Sequence, residues 1–493
     1  MLREAAHLLF LLAACLGVLA ACVWAYRRSP SWGVIVGVGA IVRLASGLLL
    51  LAISYYQWPV FQSLHTGDGY WLIAPDARVY FEKAAAAAAY GTSLAVPAGS
   101  PSPVYVIALG FWYRAGGATL ASAVVFNLVC HIVSVVAIIL ILPRQARRIG
   151  NLVLFSVSFS PALLMTSTQV LKDPFFVMLI VVGCVASLLI LRYSRDTRSA
   201  PPSRLTAGVL VAAAAVAAMA GVRAYYALFV WIAVAGAFLV SIVTVRGRHR
   251  VRLAAFAAPV LVLLWVAFAM GSDVYYTYYR DLIARTTGIN LSALALIGRD
   301  TRPVISGSAD VGELGTAMDS VRIGFIGSGG GTNIKARTAL NLTRQGLEQA
   351  ASDLALGLAV TFIPISALRA ASTVDFNGGR GLLAITDLDT LFMDVTLLAI
   401  AIAIFRLHGV NRYNVASLVL VVTLAAISAV VVAYVVTNFG TLFRLRLLTA
   451  VPAWLAPLAL TTGPVREWIR SETGQANPSA VTVPADKDEG FEI

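Results

Sequence analysis

The chain has 493 residues, of which 59% are hydrophobic and only 12% charged, and its mean hydropathy is +0.83. Soluble domains carry roughly 25% charged residues, so this composition excludes a soluble protein and describes a polytopic membrane protein. The 37 Lys and Arg outnumber the 24 Asp and Glu, for a formal charge of +13. These basic residues lie between apolar runs, where they set orientation in a membrane rather than mark a nucleic-acid surface. Cys15, Cys22, Cys130 and Cys184 all fall inside apolar runs and have no metal-site spacing, which argues against disulfides, zinc and thiol catalysis.

A helix needs about 20 apolar residues to cross ~30 Å of hydrocarbon. That rule predicts spans near 8–26, 32–54, 119–142, 150–169, 174–192, 205–221, 223–245, 251–271, 387–407, 413–437 and 441–462. Arginines fill four successive alternate turns: Arg27 and Arg28; Arg144, Arg147 and Arg148; Arg192, Arg195, Arg198 and Arg204; and Arg246, Arg248, Arg250 and Arg252. Arg406 with Arg412, then Arg466 with Arg470, continue the series. Because Lys and Arg are retained on the cytoplasmic side, the expected topology places the N-terminus outside and the C-terminus in the cytoplasm of a cell membrane. The parity closes if 102–115 and 352–371, both short and Pro-containing, are interfacial or re-entrant helices on the outer face.

The expected organisation is therefore two N-terminal spans (1–54), a first outer segment (55–118), a central bundle (119–271), a large outer loop with an interfacial helix (272–386), the last spans (387–463) and a disordered cytoplasmic tail (464–493). GSGGGTN in the large loop reads as a hinge; no Lys-Ser/Thr follows its glycines, so a nucleotide phosphate loop is not expected. Neither a repeat of 20 to 50 residues nor a matching pair of Gly/Pro-broken spans in two halves is visible, which speaks weakly against a secondary transporter.

Residues able to carry chemistry cluster in the first outer segment, HTGDGYWLIAPDARVYFEKAAAAAAYG, where Asp68 and Asp76 stand among Tyr70, Trp71, Tyr80 and Phe81. A carboxylate beside aromatics at an interface suits a general base acting on a sugar hydroxyl; the same pattern also reads as a helix that Asp76 caps and Gly91 ends. Lys172-Asp173-Pro174 reads as a helix boundary, or as a site where Lys172 meets a phosphate and Asp173 orients Lys172 or a substrate. Arg223 lies in a tight turn, and Arg444 and Arg446 start the last span on different sides of it. Arginines brought to one outer face would clamp a phosphate, or else snorkel to lipid headgroups. Arg43 and His131 read as mid-span residues that satisfy neighbouring helices, and Asp387, Asp389 and Asp394 (TDLDTLFMD) as carboxylates at a helix start. Asn290 and Asn341 begin short N-x-S/T sequons.

PDARVYFEKAAAAAAYG, SPSPVYVIALGFWYRAGGATLASAVVFNLV, SFSPALLMTSTQVLKDPFFVMLIVVG and NFGTLFRLRLLTAVPAWLAPLAL together resemble the GT-C superfamily of polytopic glycosyltransferases, which includes polyprenyl-phosphate-sugar-dependent protein mannosyltransferases and lipid A aminoarabinose transferases. The extra span ahead of the Asp-bearing segment departs from that pattern. The resemblance implies an all-α membrane fold with outer-face juxtamembrane helices, and transfer of a sugar, with inversion, from a polyprenyl-phosphate donor to a glycan, lipid or protein acceptor at the outer surface. It implies Asp76 as the base with Asp68 its rival, Lys172, Arg223 and Arg444 on the donor phosphate, Asp173 as a second acid, and no required cofactor, a divalent cation being the open point. The alternatives are a lipid-linked polysaccharide polymerase or ligase centred on the 272–351 loop, and a polysaccharide or lipid transporter.

Overall fold

The computed structural model describes residues 2–62, 64–71, 74, 76–89, 102–144, 146–195, 202–245, 247–287, 344–370, 380–406, 412–435 and 443–460. The chain is an all-α integral membrane protein with one small hairpin. Helices α1 (Leu2–Arg28) and α2 (Pro30–Tyr55) come first. The hairpin follows, with β1 (His65–Gly67) antiparallel to β2 (Tyr70–Trp71). Then come α3 (Ala77–Ala89), α4 (Pro103–Gly116), α5 (Leu120–Ile141), α6 (Arg147–Phe159), α7 (Pro161–Ser167), α8 (Asp173–Arg195), α9 (Pro202–Ala220), α10 (Ala224–Thr244) and α11 (Arg248–Thr287). The last described elements are α12 (Arg344–Phe362), α13 (Ile365–Ala370), α14 (Arg380–Arg406), α15 (Arg412–Val435) and α16 (Leu447–Leu460).

Among the described residues ten helices are long and apolar enough to cross a membrane, or eleven if the bent pair α6 and α7 is one span. α8 and α16 are apolar all round and form the centre of the bundle, as continuous hydrophobicity demands of a buried helix. α1 instead presents Leu8, Leu12, Leu16 and Leu19 outward. An exposed apolar face of this kind suits lipid, where a helix already satisfies its own backbone. α4 is 14 residues long, or about 21 Å, too short to cross, in keeping with its reading as a juxtamembrane helix.

The span expected at 150–169 is broken. α6 and α7 meet at 48°, because Ser160-Pro161 interrupts the hydrogen-bond ladder and Pro161 starts a new helix. Both exposed helix ends find side-chain partners. The Arg43 guanidinium donates to the carbonyls of Val157 and Ser158 at the end of α6, and the Asp389 carboxylate accepts from the Ala162 N–H at the start of α7 at 2.8 Å. Asp387 does the same for α13, accepting from the Ile365 N–H at 2.7 Å. The reading of Asp387, Asp389 and Asp394 as carboxylates at the start of their own helix is therefore corrected. α14 begins at Arg380, and two of the three serve the N-termini of other helices, where the partial positive charge of unpaired N–H groups attracts them.

A further difference concerns the segment expected to begin at 272. α11 continues to Thr287 rather than ending near 271, and α12 begins at Arg344. Between them, GSGGGTN and the sequons at Asn290 and Asn341 lie outside the described residues, as does the 464–493 tail.

The bundle has two distinguishable ends. Ser31 Oγ donates to Asn151 Oδ1 at 2.8 Å, joining the α1–α2 turn to the start of α6. Asn414 Nδ2 donates to the Leu460 carbonyl at 3.0 Å, joining the start of α15 to the end of α16. α2 runs from the first of these contacts to the other end, where Ser54 Oγ donates to the Tyr70 carbonyl of the hairpin. The hairpin, α3 and the turns before α8, α10 and α16 belong to that second end.

Candidate functional site

Four separate stretches meet at the hairpin end. Asp173 opens α8 with Pro174 behind it; Arg223 precedes α10 in the Gly221–Arg223 turn; Arg444 stands ahead of α16; Asp76 stands ahead of α3. The Asp173 carboxylate is buried, at 3% exposure, and is shared by two guanidiniums. Arg223 Nη2 donates to Oδ1 at 2.9 Å, and Arg444 donates to Oδ2 from Nε at 2.9 Å and from Nη2 at 2.7 Å. Arg444 also reaches Asp76, from Nη1 to Oδ2 at 3.2 Å. One guanidinium thus bridges a buried acid and an exposed one, the Asp76 side chain being 53% exposed.

Lys172 completes the cluster from the residue before Asp173. Its Nζ donates to Ser102 Oγ at 2.7 Å and lies 5.8 Å from the Tyr80 ring. Burial, with the guanidiniums of Arg223 and Arg444 adding to it against the pull of Asp173 and Asp76, pushes the ammonium down to about 7. The sequence reading offered Asp173 as orienting either Lys172 or a substrate. The geometry separates Asp173 from Lys172: Asp173 gives its oxygens to the two arginines, and Lys172 is held by Ser102.

Ser102 was not singled out from the sequence. It is fully buried and left-handed, with φ 58° and ψ 67°, a conformation that non-glycine residues seldom hold without compensation. Its hydroxyl leaves the helix cap unmade, accepting from Lys172 and donating to the Val222 carbonyl at 3.3 Å. The Val104 N–H meets the Gly221 carbonyl at 3.4 Å, so the start of α4 and the Arg223 turn are stitched together. Asn127 is a second addition: buried in α5, it donates to the carbonyls of Ser167 and Gln169 and fixes the connection leading to Lys172. The available signal for Ser102 was its place between two prolines at the mouth of a predicted helix. Asn127, one amide in an apolar run, carried none beyond its polarity.

The other candidates lie apart. Asp68 occupies the hairpin turn, where Asp68 and Gly69 both have positive φ, as the central residues of a two-residue Asp-Gly turn require. Its carboxylate pairs with Arg78 at 3.1 Å on an open surface. Arg446, two residues beyond Arg444, pairs with Asp389 and donates to the Thr390 hydroxyl inside the bundle. Among the described residues no group of three or more His, Cys, Asp or Glu side chains is placed to hold a metal ion. Asp76 and Asp173 have a guanidinium between them.

The assembled site holds three cationic side chains and two carboxylates at the end of a helix bundle. Its inner acid is committed to organising arginines, and its outer acid is open to solvent. Such a constellation can bind a phosphate while leaving one carboxylate free to take a proton. No known protein family, curated protein or solved structure matches this chain.

Proposed function

We propose that the protein is a membrane glycosyltransferase that moves a sugar from a polyprenyl-phosphate donor to a cell-envelope glycan, lipid or protein acceptor on the outer face of the cell membrane. The observation that supports this reading is the convergence of Asp76, Lys172, Asp173, Arg223 and Arg444 at one end of the bundle. In this reaction Asp76 takes the proton from the acceptor hydroxyl as its oxygen bonds to the anomeric carbon. The bond from that carbon to the phosphate oxygen breaks, and its electron pair leaves with the lipid phosphate. Attack from the face opposite the leaving phosphate inverts the anomeric centre. Lys172, Arg223 and Arg444 offset the charge that grows on the phosphate, an electrostatic contribution that costs no reorganisation because Asp173 and Ser102 already hold the cations in place. The donor arrives activated by its phosphate linkage, so no nucleotide takes part.

The test is transfer of radiolabelled sugar from a polyprenyl-phosphate donor to membrane glycan by the native protein and by Asp76→Asn at equal membrane abundance. Transfer by the native protein that is lost in Asp76→Asn supports the reading. Absence of transfer by the native protein turns it toward a polymerase, ligase or transporter.

A further inference from the structure

Arg444 distributes its donors unequally between its two acids. Asp173 receives two of them, at 2.9 and 2.7 Å, is 3% exposed, and is held from its other oxygen by Arg223. Asp76 receives one, at 3.2 Å, and is 53% exposed. A single ion pair open to water is weak, whereas a buried carboxylate cannot give up its guanidinium without leaving an uncompensated charge. An anion arriving at Arg444 therefore has one bond it can take over, that to Asp76. While the pair lasts, the Asp76 Oδ2 is occupied by the Arg444 guanidinium and is not open to an acceptor hydroxyl.

We infer that Arg444 exchanges Asp76 for the donor phosphate, so that donor binding releases the base. This rests on the proposed function and goes further by setting an order: donor first, then deprotonation of the acceptor. Asp173 and Arg223 hold the Arg444 guanidinium in place during the exchange, and Lys172 receives the same phosphate from the α8 side. The freed Asp76 carboxylate stands ahead of α3, exposed and no longer neutralised, where an acceptor hydroxyl can reach it. Arg444 is then a coupling residue as well as a phosphate ligand, and it keeps the base quiet while no donor is present.

The experiment uses the full chain in lipid nanodiscs and a non-transferable probe, a short-chain prenyl monophosphate. Its affinity is measured for the native protein, Asp76→Asn, Arg444→Gln and the double variant. If the exchange occurs, Asp76→Asn tightens the probe by about three- to fivefold, the size expected of one exposed ion pair no longer in competition, and this gain disappears in the Arg444→Gln background. Equal tightening in both backgrounds reveals simple repulsion between Asp76 and the phosphate, and overturns the exchange while leaving the donor reading standing. Failure of the native protein to bind the probe overturns both. Infrared difference spectra of the native protein supply a second readout that needs no Arg444 variant. Adding the probe should shift a carboxylate band that is missing from Asp76→Asn, and an unchanged band in the probe-bound protein overturns the exchange.

Discussion

Arg444 and Arg446 stand two residues apart at the start of the last span and ion-pair with different acids, Arg444 with Asp173 and Asp76 at the hairpin end, Arg446 with Asp389 inside the bundle. Under the proposed function, one short stretch thus carries a phosphate-binding cation and a structural one, and the two separate experimentally.

Asp389→Ala leaves the Arg446 charge buried and the Ala162 N–H without its acceptor. Breaking such a pair costs about 3–5 kcal/mol, so a large fall in the melting temperature of the purified protein is expected. Transfer per folded molecule stays close to native at low temperature, because Asp389 touches none of the site residues. A loss of transfer larger than the loss of folded protein would contradict this assignment.

Asp173→Ala affects both properties. It strands Arg223 and Arg444 without their shared carboxylate, again at about 3–5 kcal/mol, and it also misplaces the arginines that the proposed function puts on the donor phosphate. Transfer should fall well beyond the loss of folded protein, with the donor KM raised.

Asp76 and Asp68 make the sharpest contrast. Removing a general base lowers a rate by roughly 10²–10⁴-fold, and Asp76→Asn should do so with little change in melting temperature, since its carboxylate is exposed. Asp68→Asn only loses a surface pair with Arg78, and both turnover and stability should stay within about 0.5 kcal/mol of native. Equal activity of the two variants would remove Asp76 from the mechanism.

Lys172 gives the site a pH dependence. Its ammonium is held down to about 7, so the free site is cationic at Lys172 below that pH and neutral above it. A phosphodiester donor keeps one negative charge throughout this range. Its KM should therefore rise as pH passes upward through 7, by about three- to tenfold over the following unit, since each unit above a pKa removes most of the cation. Lys172→Arg stays charged and should flatten the profile; an identical slope in that variant would assign the dependence to another group.

Gly221 tests the stitched turns. A methyl group there would overlap Val104 at the start of α4, and overpacking of this kind costs about 1–3 kcal/mol. Gly221→Ala should weaken donor binding through Ser102 and Lys172 without altering any charged residue, visible as a raised KM at nearly unchanged kcat.

The span positions were legible because hydrocarbon imposes one rule on every crossing segment: about 20 apolar residues, with each backbone group bonded inside its own helix. Lys172, Asp173, Arg223 and Arg444 were legible as candidates for the converse reason, that charge at the edge of an apolar run is costly and needs a cause. The hairpin around Asp68 was not predicted, although Asp68-Gly69 carries the signal of a two-residue turn. Which carboxylate meets which cation was not written locally. Asp76 and Arg444 are separated by 368 positions in the chain, and Arg446 and Asp389 by an intervening span, so only the packing of α8, α10 and α16 decides that Arg444 faces the acids at the hairpin end while Arg446 faces inward. The bend at Ser160 was hinted at by Pro161, but its stability depends on Arg43 and Asp389 reaching it from other helices. Ser102 gains its place through strained backbone and a lysine 70 residues away, a pairing that exists only once the helices have packed.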